Sequence, residues 1–364
     1  MKWSWRIARL FGIDVFVHAT FLILLAWVAM SHYQREGTLH GALVGVAFIL
    51  AVFGTVVLHE FGHALTARRF GIKTRDITLL PIGGVARLER MPEKPAQELW
   101  VALAGPAVNV VLAIVLFTVL KVTGGSVQLG EQGLLSGGPF LTRLFWVNVT
   151  LALFNLLPAF PMDGGRALRA LLALRGDYVQ ATRTAATLGQ GMAFLLGLLG
   201  LFTNPFLIFI ALFVWIGASS EAGAVQTKAS LEGVPVQAAM QTDFRVLTAR
   251  DTLSIASQAL LAGAQVDFPV VDAHGVPVGV LTRDNLIQGL TTSGPTAVIE
   301  GVMTRRFETA EPGEMLAGAL TRLQGCECNA LLVVRQARVI GLVTMENIGE
   351  LMMMQKALRA ATSM

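Results

Sequence analysis

Six apolar runs free of Asp, Glu, Lys and Arg fill most of the first 220 residues: 15–31, 41–58, 99–120, 144–162, 184–203 and 204–220. Most approach the roughly 17 to 25 residues that a helix needs to cross the hydrocarbon core of a bilayer. One such run fits the buried helix of a soluble core, but six in succession predict a multi-pass α-helical membrane protein. Thr203-Asn204-Pro205 marks a turn between the last two. The first run follows Lys2, Arg6 and Arg9, as a signal peptide would. Its apolar length exceeds the usual h-region of about 7 to 15 residues, so it reads as a retained span. Only 14% of the chain is charged, where soluble domains carry about a quarter. Beyond residue 220 the charges are spread as in a soluble protein, which divides the chain into a membrane part, 1–220, and a soluble tail.

The flanking charges orient the membrane part. The N-terminal flank, the 64–98 loop and the 166–183 loop carry 3, 7 and 4 Lys/Arg, against 1, 2 and none in the alternate loops. This 14-to-3 asymmetry predicts a cell-membrane protein with both termini in the cytoplasm. The flanks also account for the net charge of +4, so the basic balance calls for a lipid bilayer and for no nucleic acid. The only two cysteines, Cys326 and Cys328, lie in the tail and exclude a disulfide framework by number and compartment; one is expected to face a core and the other a surface.

At the end of the second run stands HEFGH, with His59 and His63 four residues apart and Glu60 beside them. A helix puts both imidazoles on one face, and Glu60 lies where it can take a proton from an activated water. A catalytic zinc needs a third protein ligand. The candidates in the membrane part are Asp14, His18, His32, His40 and Asp163. His32 and His40 fall on the outer side, a bilayer away. Asp163 ends the fourth run on the same side as the histidine pair, in FNLLPAFPMDGGRAL (154–168). Pro158, Pro161 and the pair Gly164-Gly165 break the helix there. Broken backbone at membrane depth is tolerated where it lines a buried or watered cavity. Taken alone Asp163 is equally a turn-former; its depth and the broken backbone favour a ligand. His18 reads either as a partner of the metal ligands or as a core histidine.

HEFGH, LAGPAVN in the third run and FNLLPAFPMDGGR at the end of the fourth, in that order, strongly resemble the site-2 proteases, which are intramembrane zinc metalloproteases. The resemblance covers nearly the whole chain, because one branch of that family carries a C-terminal pair of CBS domains. It implies one catalytic Zn2+ held by His59, His63 and Asp163, with Glu60 as general base. It also implies that Asn155 holds the substrate or the developing oxyanion, and that the substrates are transmembrane proteins cut near the cytoplasmic face. Asn148 matches no family role and reads as a bond between helices. Gly105 and Asn109, one turn apart, read as close helix packing. The segment 79–89, LLPIGGVARLE, is by resemblance a re-entrant β-hairpin offering a strand edge to substrate, and otherwise an ordinary cytoplasmic loop.

The tail repeats itself. GVLTRDNL (279–286) recurs as GLVTMENI 62 residues later, and Met240 and Met303 open the two copies. This is similar to an α/β tandem CBS module, with repeats at 234–292 and 297–356 after a small, polar linker at 221–233. Such pairs associate side by side, form homodimers and often bind adenine nucleotides. Thr282, Asn285, Thr344 and Asn347 are the implied contacts. The family's ribose-binding Asp is replaced here by Asn285 and Asn347, which bond a diol less strongly. The alternatives are a CBS-regulated divalent-cation transporter and a catalytically inactive scaffold. The first calls for polar or acidic groups spread through several spans, and the second gives no reason to keep Glu60.

Overall fold

The first apolar run does not begin as helix. In the computed structural model, which describes residues 3–362 except 82, 90–91, 93, 129–138, 264 and 327, Ser4–Leu10 (β1) and Ile13–His18 (β2) form an antiparallel hairpin. Alternating burial along Ile13-Asp14-Val15-Phe16-Val17 marks a half-buried strand rather than the start of a span. Phe11 and Gly12, both with positive φ, make the tight turn. Helix α1 (Ala19–Glu36) starts only after His18, whose side chain accepts from the Thr20 N–H as its N-cap. His18 is thereby occupied at a helix start, its side chain bonded to Thr20.

Four of the other runs lie in helices long and apolar enough to cross a membrane: α2 (Leu39–Arg69), α3 (Pro95–Val122), α6 (Tyr178–Phe202) and α7 (Phe206–Ser230). The fourth run is shorter as a helix, α4 (Phe140–Asn155), because Pro158 and Pro161 follow; the chain resumes as α5 (Asp163–Ala173). The membrane part thus has four helices both long and apolar enough to cross a membrane among the described residues, with the less apolar α1 and the shorter α4 beside them. Phe194, Leu195, Phe209 and Phe213 on α6 and α7 are all more than half exposed, an apolar outside suited to lipid and not to water. α7 also runs on through residues 221–230, which composition alone reads as linker.

A four-stranded sheet adjoins the helices in the order β1-β2-β3-β4, with β3 (Thr74–Leu80) and β4 (Gly83–Leu88) antiparallel and β2 parallel to β3. The described part of the 79–89 segment is therefore a β-hairpin; Ile82 lies outside the described residues. β4 ends the sheet and packs on α2. Helices α2 and α3 approach so closely that a Cβ added at Gly62 would fall 2.6 Å from the Ala104 carbonyl oxygen.

The chain divides into two compact units, residues 1–225 and 226–364. The second holds two three-stranded sheets. β5 (Leu247–Thr248), β6 (Phe268–Val271) and β7 (Pro277–Leu281) form one, joined by α8 (Leu253–Leu261) and followed by α9 (Arg283–Ser293). β8 (Thr309–Ala310), β9 (Ala330–Arg335) and β10 (Arg338–Thr344) form the other, joined by α10 (Leu316–Gly325) and followed by α11 (Met345–Thr362). Each repeat has its own apolar core, yet their leading segments are exchanged. Met240, from the first copy, packs against Gly341 of the second, where a Cβ would meet its Cγ at 2.4 Å; Met303, from the second, lies against Gly279 of the first in the same way. Backbone bridges Gln241–Leu342 and Thr304–Val280 repeat the relation.

Cys326 and Cys328 are joined by a disulfide, contrary to the expectation of two separate thiols. With Cα atoms 5.1 Å apart they sit within the span a disulfide bridges, so residues this close in sequence suffice without any framework.

Candidate metal centre

The spacing of HEFGH works as expected because α2 is unbroken through it. His59 and His63 lie one turn apart on the buried face of α2, and the chain break before α5 brings Asp163 to them. The Nε2 atoms of the two histidines are 3.1 Å apart, and Asp163 Oδ2 stands 3.2 Å from His59 Nε2 and 3.1 Å from His63 Nε2. Among the described residues this is the one group of His, Cys, Asp or Glu able to hold a metal ion.

The donor set fits a cation. His63 Nδ1 lies 2.7 Å from the Val101 carbonyl oxygen, which can only accept, so Nδ1 carries the proton and Nε2 turns a lone pair to the centre. That lone pair faces a second imidazole and a carboxylate oxygen. Ligand atoms around a tetrahedral zinc stand roughly 3.4 Å apart, close to the spacing here. Gly105 keeps the middle open: a Cβ there would fall 2.2 Å from His63 Nε2 and 2.6 Å from His59 Nε2. Gly164 and Gly165 let Asp163 in, since a Cβ on either would run into the backbone of residues 156–160.

Glu60, next to His59 on α2, is also held by the sheet. Its Oε2 accepts the Ala86 N–H of β4 at 3.2 Å, and Gly84 admits its stem, a Cβ there falling 2.9 Å from Glu60 Cγ. Asn155, the last residue of α4, gives its side-chain N–H to Leu151 in its own helix. Asn148 does bond between helices, accepting from Asn109 on α3; Asn109 Oδ1 in turn lies 2.5 Å from His59 Nδ1, which makes Asn109 more than a packing residue.

A largely buried ion network leaves little trace in the sequence. Arg169 of α5 is bonded to Glu98 at the start of α3 and to Glu221 of α7, and its guanidinium lies 5.1 Å from the Tyr178 ring. The available signal was a lone acid at the edge of each of two apolar runs, which reads more readily as a flanking charge.

In the second unit, Thr344 and Asn347 line a cavity of about 770 Å³ with Met240, Asp267, Glu346 and Glu350 among others, whereas Thr282 and Asn285 do not. Thr344 and Asn347 form a reciprocal cap: Asn347 Oδ1 accepts from both the Thr344 N–H and hydroxyl, and the Asn347 N–H is returned to Thr344 Oγ1. Thr282 caps α9 through the Asn285 N–H, and the Asn285 amide donates to Thr304. Asp267 is buried at the cavity, with the Arg283 N–H on Oδ1 and, among the described residues, no hydrogen-bond partner on Oδ2. Burial pushes its carboxyl up from the ordinary range.

Residues 47–198 match peptidase family M50, and residues 236–291 and 299–353 match the CBS domain. A zinc metalloprotease of Methanocaldococcus jannaschii is 33% identical over 287 residues, which are 79% of this chain and 80% of that protein. The chain belongs to peptidase family M50. It is a site-2-protease-like member of this zinc metalloprotease family, with a tandem CBS module and four helices long and apolar enough to cross a membrane. A solved site-2 protease from Methanocaldococcus jannaschii is 38% identical, covering 60% of this chain and 95% of its own, with a TM-score of 0.44. A CBS domain pair solved with 5′-methylthioadenosine and S-adenosyl-L-methionine is 25% identical, covering 32% of this chain and 98% of its own, with a TM-score of 0.31. The M50 match spans every residue of the His59–His63–Asp163 group as well as Glu60 and Asn155.

Proposed function

We propose that this M50 protein is an intramembrane endopeptidase that hydrolyses peptide bonds of transmembrane proteins near the cytoplasmic face, with His59, His63 and Asp163 as zinc ligands and Glu60 as general base. The observation that carries the reading is the convergence of three donor atoms within 3.2 Å of one another, two of them on a helix of membrane-spanning length that also carries Glu60. Zinc held by His59, His63 and Asp163 would supply a Lewis acid for the scissile carbonyl and would lower the pKa of water toward neutrality. Glu60 takes the proton from the attacking water and returns it to the departing amine as the C–N bond breaks. Ala86 aims the carboxylate while it does so. β4 ends its sheet, so an unwound substrate strand can pair along it and pass beside Glu60. Asn155 is assigned to the substrate or oxyanion, which requires it to exchange its bond to Leu151. The charge asymmetry of the loops supports a cell-membrane protein with both termini cytoplasmic.

The CBS pair, in this reading, restrains substrate entry and binds adenine nucleotide weakly, and its association into a homodimer follows the habit of such modules. Glu221 supplies a route: it lies on α7, which runs on toward the tail to Ser230, and it holds Arg169 on the helix that begins with Asp163. Cleavage of one transmembrane substrate by the full chain, by the Glu60→Gln variant and by a chain lacking residues 234–364, each with and without ATP, tests both levels. Full cleavage by Glu60→Gln overturns the protease assignment. Equal rates with and without the tail and ATP reduce the module to docking or dimerisation.

A further inference from the structure

His63 has its proton placed by a backbone carbonyl, but the corresponding contact of His59 is with an amide. Asn109 can turn either its oxygen or its NH2 toward His59 Nδ1, so that single contact leaves the tautomer of His59 open. The next two links remove the choice. Asn109 Nδ2 is 3.0 Å from Asn148 Oδ1, and Asn148 Nδ2 is 2.9 Å from the Leu144 carbonyl oxygen. Leu144 can only accept. Asn148 must therefore present its NH2 to Leu144 and its oxygen to Asn109. Asn109 must then present NH2 to Asn148 and oxygen to His59, and His59 must donate from Nδ1. Turning over either amide sets donor against donor or oxygen against oxygen at a link. Both asparagines are fully buried, so water offers neither an alternative partner.

We infer that Asn109 and Asn148 are positioning residues of the metal centre: a one-way hydrogen-bond relay from the Leu144 carbonyl that fixes His59 with its proton on Nδ1 and its lone pair on Nε2. The relay rests on reading His59, His63 and Asp163 as the zinc site. It is distinct from helix–helix adhesion, which an Asn–Asn bond would supply whatever its polarity. Asn109 is the element that matters most, because it converts a contact between α3 and α4 into the state of a ligand on α2.

The test measures zinc affinity of the full chain in detergent by chelator competition, with the unfolding temperature of each variant in excess chelator showing that it is folded. His63→Ala is the control for the site. Asn148→Leu frees Asn109 to turn over and is expected to weaken zinc about tenfold, the lower end of the effect of losing a partner behind a ligand. Adding Asn109→Asp to Asn148→Leu is expected to restore affinity to within about threefold of the unaltered chain, because a carboxylate accepts at both ends and has no polarity to lose. Adhesion predicts the opposite, since the double variant makes no Asn–Asn bond. Unchanged affinity in Asn148→Leu, or a double variant no better than the single one, overturns the relay. Unchanged zinc binding in His63→Ala overturns the metal centre, and the relay with it.

Discussion

The metal centre and the cavity of the tail are both built from polar pairs about one helical turn apart, and they spend those pairs differently. In α2, bonds to α3 engage the far side of each imidazole: Val101 and Asn109 take the Nδ1 atoms and leave both Nε2 atoms facing a common point. At the start of α11, Asn347 uses its side-chain oxygen on Thr344, so the pair caps a helix before it can serve a ligand. The two CBS repeats diverge further, since Thr344 and Asn347 reach the cavity while Asn285 is turned to Thr304. Spacing places a side chain; what remains of its hydrogen-bonding capacity decides whether it is a site.

The contrast is sharpest for catalysis. Replacing Glu60 by Gln should lower turnover of a transmembrane substrate by about 10²–10⁴-fold while zinc content, measured on the purified protein, stays unchanged. Loss of zinc in that variant would mean that Glu60 helps to assemble the centre. Next in size, Gly105→Ala should weaken zinc binding by at least roughly tenfold, because the new methyl would occupy the space between two ligand nitrogens. Chelator competition would show it, and an unaffected site would require α3 to move.

In the tail the expected effects are smaller. Asn347→Asp should tighten adenine nucleotide binding about tenfold in calorimetry, since a carboxylate accepts a diol more strongly and retains the cap. Asn285→Asp should leave binding unchanged, and equal gains in the two variants would erase the difference between the repeats. The smallest effect concerns pH. Because burial raises the Asp267 carboxyl, the folded state holds its proton to higher pH than the unfolded chain does. The stability it contributes is complete below the ordinary carboxylate range and is lost as pH rises through the raised value. Asp267→Asn should therefore slow hydrogen exchange at β6 and β7 near neutral pH, with the advantage shrinking as the solution is acidified.

Much of this architecture was legible because long uncharged runs and the HEFGH spacing follow from two constraints, bilayer thickness and helix pitch. The run beginning at residue 15 misled because its first residues are apolar for a different reason: alternation along Ile13–His18 buries one face of β2, a pattern that merges into the helix behind it. Asp163 was found from the broken backbone around it, but Asn109 was not, because an amide inside a span looks the same whether it holds a neighbour or a ligand. Arg169 and its two acids escaped for a related reason. Charges at the ends of apolar runs usually meet water, and only the packing of α3, α5 and α7 shows Arg169 and Glu98 buried, with the half-buried Glu221 bonded to Arg169.

The exchanged methionines of the tail bear on how the protein is made. Met240 has no seat until Gly341 has been synthesised, about a hundred residues later. The first repeat therefore leaves the ribosome with its leading segment undocked, and the contacts that close it are among the most distant in the tail's sequence, the kind that form slowly. A chain that ends between the repeats is expected to expose the apolar surface around Gly279 that Met303 covers and to be cleared by quality control. A truncation that removes half of the pair would thus report on misfolding, and only removal of the whole pair reports on its purpose.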